Sequence, residues 1–147
     1  VSIFNSINIS ASGLTAERLR MDIVTKNIAN ANTTRTANGT PYRRQVAIFK
    51  SKDNNMPFSE YLRRSNGQAS NLTGVEISSI QNDSSPYKKV YEPGHPDADE
   101  SGYVLMPNVD IVTEMANMIS ATRAYEANVT ALNGTKSMAL KALEIGK

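Results

Sequence analysis

His95 is the single histidine of the chain. It lies in Glu92-Pro93-Gly94-His95-Pro96-Asp97-Ala98-Asp99-Glu100, where an imidazole and a cluster of carboxylates share one short stretch. Oxygen ligands of this kind can hold a divalent cation. The spacing is not that of a calcium loop, and Pro with Gly already accounts for a solvated turn, which is the reading preferred here. Acid–base catalysis would need a nucleophile beside the histidine. No G-x-S-x-G elbow, Gly-rich phosphate loop or second histidine is present to complete a triad or a His-rich metal site. With no cysteine in the chain, disulfides, thiolate catalysis and Cys-ligated metals are excluded. The expectation is a protein with no catalytic residue, no cofactor, no metal site and no small-molecule substrate.

Three segments place an aromatic residue beside a basic pair: Tyr42-Arg43-Arg44, Tyr61-Leu62-Arg63-Arg64 and Tyr87-Lys88-Lys89. Rings flanked by cations hold single-stranded nucleic acid in many binding proteins. Here residues 35–107 carry nine basic and eight acidic side chains, and the whole chain has a formal charge of +2. A field that weak argues against nucleic acid and against an acidic membrane surface.

The elements that must position these residues follow from the prolines. All six lie between residues 41 and 107 of the 147. Proline removes a backbone donor and clashes with the preceding turn, so long helices are permitted at both ends and discouraged between them. In the first segment Ile7, Leu14, Met21 and Ile28 recur every seven residues, with Ile3, Ala11, Val24 and Ala31 at intermediate steps. That is a heptad seam over a helix spanning about residues 4–31, interrupted by Gly13 and Arg18. In the last segment Ile111, Met115, Met118, Thr122, Tyr125, Val129, Leu132, Lys136, Ala139 and Leu143 follow steps of four and three. The predicted helix covers 109–145, with Asn108 as N-cap, Asp110 and Glu114 at the positive end of the dipole, and Lys141 and Lys147 at the negative end. Gly134 in its interior marks close approach of another backbone or a bend. Methionines 21, 115, 118 and 138 supply pliable packing on these faces.

Between the helices, Tyr42–Lys50, Gly74–Ile80, Tyr87–Glu92 and Tyr103–Met106 are strand candidates. Turn chemistry at Asn38-Gly39, Asn66-Gly67, Pro93-Gly94 and Ser101-Gly102 separates them. The expected fold is mainly α with a small β-rich middle, its long terminal helices packing as a coiled-coil-like pair. The divisions are 1–34, 35–107 and 108–147, the first and last forming one helical unit. Two long seams and so small a middle exceed what one chain can cover, so some apolar surface must meet other chains. The alternative is a self-contained helical hairpin that acts as an adaptor for one cytoplasmic partner. No apolar run is long enough to span a bilayer, and the N-terminal stretch lacks the basic patch and unbroken apolar core of a cleavable secretory signal.

Asn27-Ile28-Ala29-Asn30-Ala31-Asn32-Thr33-Thr34 followed by Pro41-Tyr42-Arg43 resembles the N-terminal signature of bacterial flagellar axial proteins. Tyr91-Glu92-Pro93-Gly94, Gly102-Tyr103-Val104-Leu105-Met106-Pro107-Asn108-Val109-Asp110 and Arg123-Ala124-Tyr125-Glu126-Ala127-Asn128 with Lys136-Ser137-Met138 are similar to the proximal-rod members of that family. The likeness covers nearly the whole chain and is weakest over 53–85. It implies a structural subunit of the basal-body rod, in which the terminal helices form the inner tube of a hollow drive shaft around an export channel. It further implies partners among other copies and other rod proteins, ring and export-gate components at the rod base, and the flagellar type III export apparatus. The implied location is the rod in the periplasmic space, reached without a cleaved signal. The subunit-interface residues expected on this basis are Ile7, Leu14, Met21, Ile28, Ile111, Met115, Met118, Thr122, Tyr125, Val129, Leu132 and Leu143.

Overall fold

The computed structural model describes residues 3–52 and 73–145. The Asn66-Gly67 turn, the Tyr61-Leu62-Arg63-Arg64 segment and Lys147 lie outside the described residues. The chain runs α1 (Ile3–Ala29), β1 (Gln45–Ser51), β2 (Val75–Asn82), β3 (Lys88–Tyr91), β4 (Tyr103–Met106) and α2 (Ile111–Ile145). It is mainly helical, with two small antiparallel hairpins, β1–β2 and β3–β4, between the terminal helices. All four strand candidates form, within a few residues of their expected ends.

Helix α1 stops where asparagine and threonine begin to compete for backbone hydrogen bonds. The Asn30 side chain donates to the Lys26 carbonyl at 2.9 Å, and the Ala31 and Thr33 amides close tighter turns onto Ile28 and Asn30. At the start of α2 the cap is Asp110 rather than Asn108: its carboxylate accepts the Thr113 amide at 2.9 Å. That bond holds the Asp110 carboxyl below its ordinary range. Asn108 is drawn away because its side chain accepts the Arg44 amide at 2.9 Å and donates to the Asp83 and Ser85 carbonyls. At the other end, Lys141 is one turn too early to serve the helix C-terminus and instead pairs with Glu144.

The helices run antiparallel, tied at Gly13 with Asn128, Met21 with Thr122, and Asn27 with Glu114. The fully buried stripe shares Val24 with the predicted seam and otherwise lies beside it. In α1 it comprises Gly13, Ala16, Ile23, Val24 and Asn27, and in α2 Glu114 and Ala121. At Gly13 the room goes to a side chain of the other helix: an added Cβ would stand 3.1 Å from the Asn128 amide. Leu14, Met21 and Ile28 are half-buried beside this stripe. Helix α1 is about 40 Å long and α2 about 52 Å. Helix α2 therefore extends past the N-terminus of α1.

Hairpin β1–β2 lies along α1. Ala47 faces Ile80 and Phe49 faces Ile77, with an irregularity between Ile48 and Phe49. The hairpin is pinned at its far end where the Ser12 hydroxyl accepts the Val75 amide at 3.0 Å while donating to the Ile9 carbonyl at 2.7 Å. A Cβ on Gly74 would come 2.3 Å from that hydroxyl, so a larger residue there forces Ser12 to shift. Hairpin β3–β4 pairs Val90 with Val104 and Tyr91 with Tyr103, and Val104, Pro107 and Val109 bury one of its faces.

Candidate functional site

The structure gathers its buried polar groups where α1, β1, β2 and α2 meet. Asn27 and Glu114 are each 1% exposed. The Asn27 amide donates to the Glu114 Oε2 at 2.9 Å and to the Gln45 carbonyl at 2.8 Å. Its Oδ1 accepts the Tyr42 hydroxyl and the Gln45 amide, both at 2.9 Å. Arg44 grips the other Glu114 oxygen through Nε at 2.9 Å and Nη2 at 2.8 Å. It reaches Asp83 through Nη1 at 3.1 Å. Asn117 adds a longer bond to Glu114 at 3.3 Å. Every polar atom of the Asn27 side chain thus has a partner, which is the condition for burying such a group without large cost.

The electrostatics follow from these contacts. Burial and the neighbouring Glu114 carboxylate push the Tyr42 phenol up, so it stays a donor. Burial alone would lower the Arg44 guanidinium, but its hydrogen bonds to Glu114 and Asp83 outweigh that and raise it. The Ser85 hydroxyl and amide, then Arg44, bring the Asp83 carboxyl down to about 2. These groups are mutually satisfied and have no free valence aimed at a substrate. The knot holds four elements at one angle.

The other chemistry-bearing stretches are largely engaged in hydrogen bonds and ring contacts within the chain. His95 accepts the Asp97 amide through Nδ1 at 3.1 Å. The Asp97 carboxylate takes the Thr34 hydroxyl at 2.8 Å and lies 3.7 Å from Arg35, so the loop is strapped to the segment after α1. Asp99 accepts the Ser101 and Tyr103 amides. Among the described residues no group of three His, Asp or Glu side chains could hold a metal. Of the aromatic–basic segments, Tyr42 and Arg44 belong to the knot, Arg43 stacks 4.5 Å over the Tyr87 ring, and Lys88 donates to the Val109 carbonyl at 2.8 Å.

The residues expected at subunit interfaces fall into two groups. Ile7, Leu14, Met21, Ile28, Met118, Thr122, Tyr125, Val129 and Leu132 are half-buried along the flanks of the helix pair. Ile111, Met115 and Leu143 are 44%, 55% and 72% exposed. Around them the surface of α2 is unusually apolar for one chain: Val112 is 77% exposed, Ile119 55%, Leu140 52% and Ile145 86%. Monomeric proteins rarely leave so extended an apolar surface open.

The "Flagella basal body rod protein" family matches residues 7–35. The "Flagellar basal body rod FlgEFG protein C-terminal" family matches residues 100–145. The flagellar basal-body rod protein FlgC of Borreliella burgdorferi is 49% identical over 154 residues, which cover 99% of this chain and 98% of the relative. Those of Bacillus subtilis and Salmonella typhimurium are 49% and 40% identical, each alignment covering the whole of both chains. The chain belongs to the FlgC family of flagellar basal-body rod proteins. The family's two matched segments are the two helices with their flanks, and Asn27 from the first meets Glu114 from the second inside the knot. Motifs that carry the family likeness, around Asn27, Tyr42 and Asn108, are thus neighbours in space although far apart in sequence.

Sequence reasoning missed this convergence. In the sequence Asn27 and Arg44 stand as parts of a signature and a basic pair, and Glu114 as a dipole partner. One signal was available: Glu114 heads the row Glu114, Met118, Ala121, Tyr125, Asn128 and Leu132, which keeps helical steps of four and three along the face turned to α1. A carboxylate in that row requires a buried donor set.

Proposed function

We propose that this chain is a structural subunit of the proximal flagellar rod, assembling helically into a hollow shaft that transmits torque from motor to hook and surrounds the export channel. Residues 1–34 and 108–147 form its inner-tube unit and 35–107 its middle region. It performs no catalysis. It is exported by the flagellar type III apparatus without a cleaved signal, resides in the periplasmic span of the rod, and meets ring and export-gate components near the rod base. The observation that carries this reading is α2: it outlasts its partner helix and bears large, exposed apolar side chains that none of the described residues covers. The helices do pair as a hairpin, but a self-contained adaptor would have no use for the remainder, and the family relationship does not favour one.

Ile111, Met115 and Leu143 supply direct contacts to neighbours. The half-buried members of the set, from Ile7 to Leu132, complete their burial on assembly. Folding is thus coupled to incorporation, as for segments that cannot bury enough surface alone. The test is Leu143→Asp in cells lacking the native copy. Export of the variant continues and rods fail to complete, as scored by electron microscopy of basal bodies; motile cells with normal rods overturn the reading. Circular dichroism of the free chain shows less helix than α1 and α2 require, the shortfall lying in the uncovered last turns of α2, and a free chain helical to the end of α2 contradicts coupled assembly.

A further inference from the structure

We propose that Glu17 is a built-in weak point of the helix pair that keeps α1 and α2 able to part during export; the inference rests on the proposed export of this chain and names the residue that permits it. Two carboxylates of the helix pair meet different surroundings. Glu114 is held by Arg44, Asn27 and Asn117. The Glu17 Oε2 is buried as well, and among the described residues it is the one buried side-chain nitrogen or oxygen with no hydrogen-bond partner. The cation paired with it, Arg20, stands 3.6 Å away, beyond hydrogen-bonding reach. Arg20 also belongs to the same helix, so that pair ties nothing across to α2.

The place of Glu17 in the fold accounts for the missing donor. It stands one helical turn from Gly13 and one from Met21, where α1 is tied to Asn128 and Thr122. Residues four apart share a helix face, so the Glu17 side chain leaves α1 toward α2, and it is only 15% exposed. At this level α2 carries Ala121, which is fully buried, and the half-buried Tyr125. The polar residues on either side are engaged with their own helix: Asn128 donates to the Ala124 carbonyl and Thr122 to the Met118 carbonyl, both at 2.9 Å. A buried polar atom left unpaired loses the hydration it had in water and gains nothing in return. The pair thus carries a fault at its middle, between two well-made ties. Chains keep such faults where function needs them. A subunit that passes a narrow channel must separate its helices first and close them afterwards. A carboxylate shut between them favours separation, because water supplies the donors that α2 withholds.

The test uses the purified full chain, unfolded in urea and followed by far-UV circular dichroism, and the same variants as the sole copy in cells. There the chain outside the cytoplasm and completed rods are both measured. Glu17→Gln and Glu17→Met each raise the urea midpoint, Glu17→Met by about 0.5 M, which lowers the open fraction about fivefold. Export and rod yield fall in the same order. Ala127→Gly, at an exposed position of α2, weakens the helix; added to Glu17→Met it brings the midpoint back and restores export. A midpoint that stays or drops in both single variants shows that Arg20 already satisfies Glu17, and overturns the weak point. Native export at a raised midpoint overturns its part in export, as does a double variant that regains the native midpoint yet stays inside the cell. Glu17→Gln keeps the shape of the side chain, so its result stands if methionine proves too large. Leu143→Asp keeps the two readings apart: rods built by it overturn the shaft reading, whereas failure of the Glu17 variants leaves that reading standing.

Discussion

The two ends of the helix pair are built on opposite plans. At the end where α1 finishes and α2 begins, Asn27, Arg44, Glu114 and Asp83 satisfy one another in a buried network. At the other end α2 continues past α1 with Leu140, Leu143 and Ile145 facing outward. Polar groups demand exact donors and acceptors, so the first end has one permitted geometry. Apolar side chains accept any surface of suitable shape, so the second end is left for neighbours to define. On the proposed reading, the difference teaches where a shaft subunit places its specificity: in the angle between helices and middle region, and not in the tip left to its neighbours. Amide hydrogen exchange of the free chain is accordingly slow in the first turns of α2 and fast in its last turns.

The largest expected effect comes from breaking the closed end. Glu114→Ala leaves the Arg44 guanidinium and an Asn27 donor without their acceptor in a buried setting and costs about 3–5 kcal/mol. Urea unfolding followed by far-UV circular dichroism measures it. Glu114→Gln recovers little. The replacement has one oxygen where the site needs two, so its NH2 faces a donor, either Arg44 or Asn27, whichever way it is turned. A loss below 1 kcal/mol for both variants would remove the distinction between the two ends.

How much of this was legible in the sequence depends on the range of the force that decides each feature. Proline placement and helical periodicity are local, and they located both helices and all four strands to within a few residues. The exact facing stripe is not local. Apart from Val24 it lies beside the Ile7–Leu14–Met21–Ile28 heptad, and no heptad count registers that Gly13 leaves room for the Asn128 side chain. The N-cap was misplaced for a related reason: Asn108 and Asp110 are both good caps, and the choice between them was made by Arg44 and Asp83, far away in sequence. The knot was the least legible part, since its members are polar residues of ordinary type that become informative only once they are buried together. The apolar surplus of α2, by contrast, follows from arithmetic on lengths and was visible from the start.

Two smaller effects sharpen the comparison on the middle region. Gly74→Ala drives a methyl group against the Ser12 hydroxyl and breaks its bond with the Val75 amide. The expected loss is about 1–2 kcal/mol, and adding Ser12→Ala recovers part of it because the closest clash goes, while the tight 3.0 Å approach of the residue-12 Cβ and the unpaired amide remain. Next is Asp83, whose folded pKa of about 2 lies below its unfolded value. A depressed carboxyl contributes stability above the unfolded pKa, near 3.9, and loses it as pH falls toward the folded value. Asp83→Asn therefore costs about 1 kcal/mol at neutral pH, with the gap to the native chain closing between about pH 4 and pH 2. A constant gap across that window would detach Asp83 from the network.

The smallest effect on the isolated chain is the most discriminating. Val112 and Glu114 are two residues apart in the first turn of α2, yet one is 77% exposed and the other 1%. Val112→Asp removes no internal contact and adds a negative charge where the helix dipole favours it, so the free protein changes by no more than about 0.5 kcal/mol and in the stabilising direction. In the rod the same charge enters the outward apolar face of α2, and assembly suffers. Glu114→Ala reverses the order, damaging the free chain first. Measuring urea stability and rod yield for both variants therefore divides one helical turn into a face that belongs to the subunit and a face that belongs to the assembly. If Val112→Asp builds rods at the native yield, the outward face at this end is ordinary surface, and the uncovered region shrinks to the overhang beyond α1.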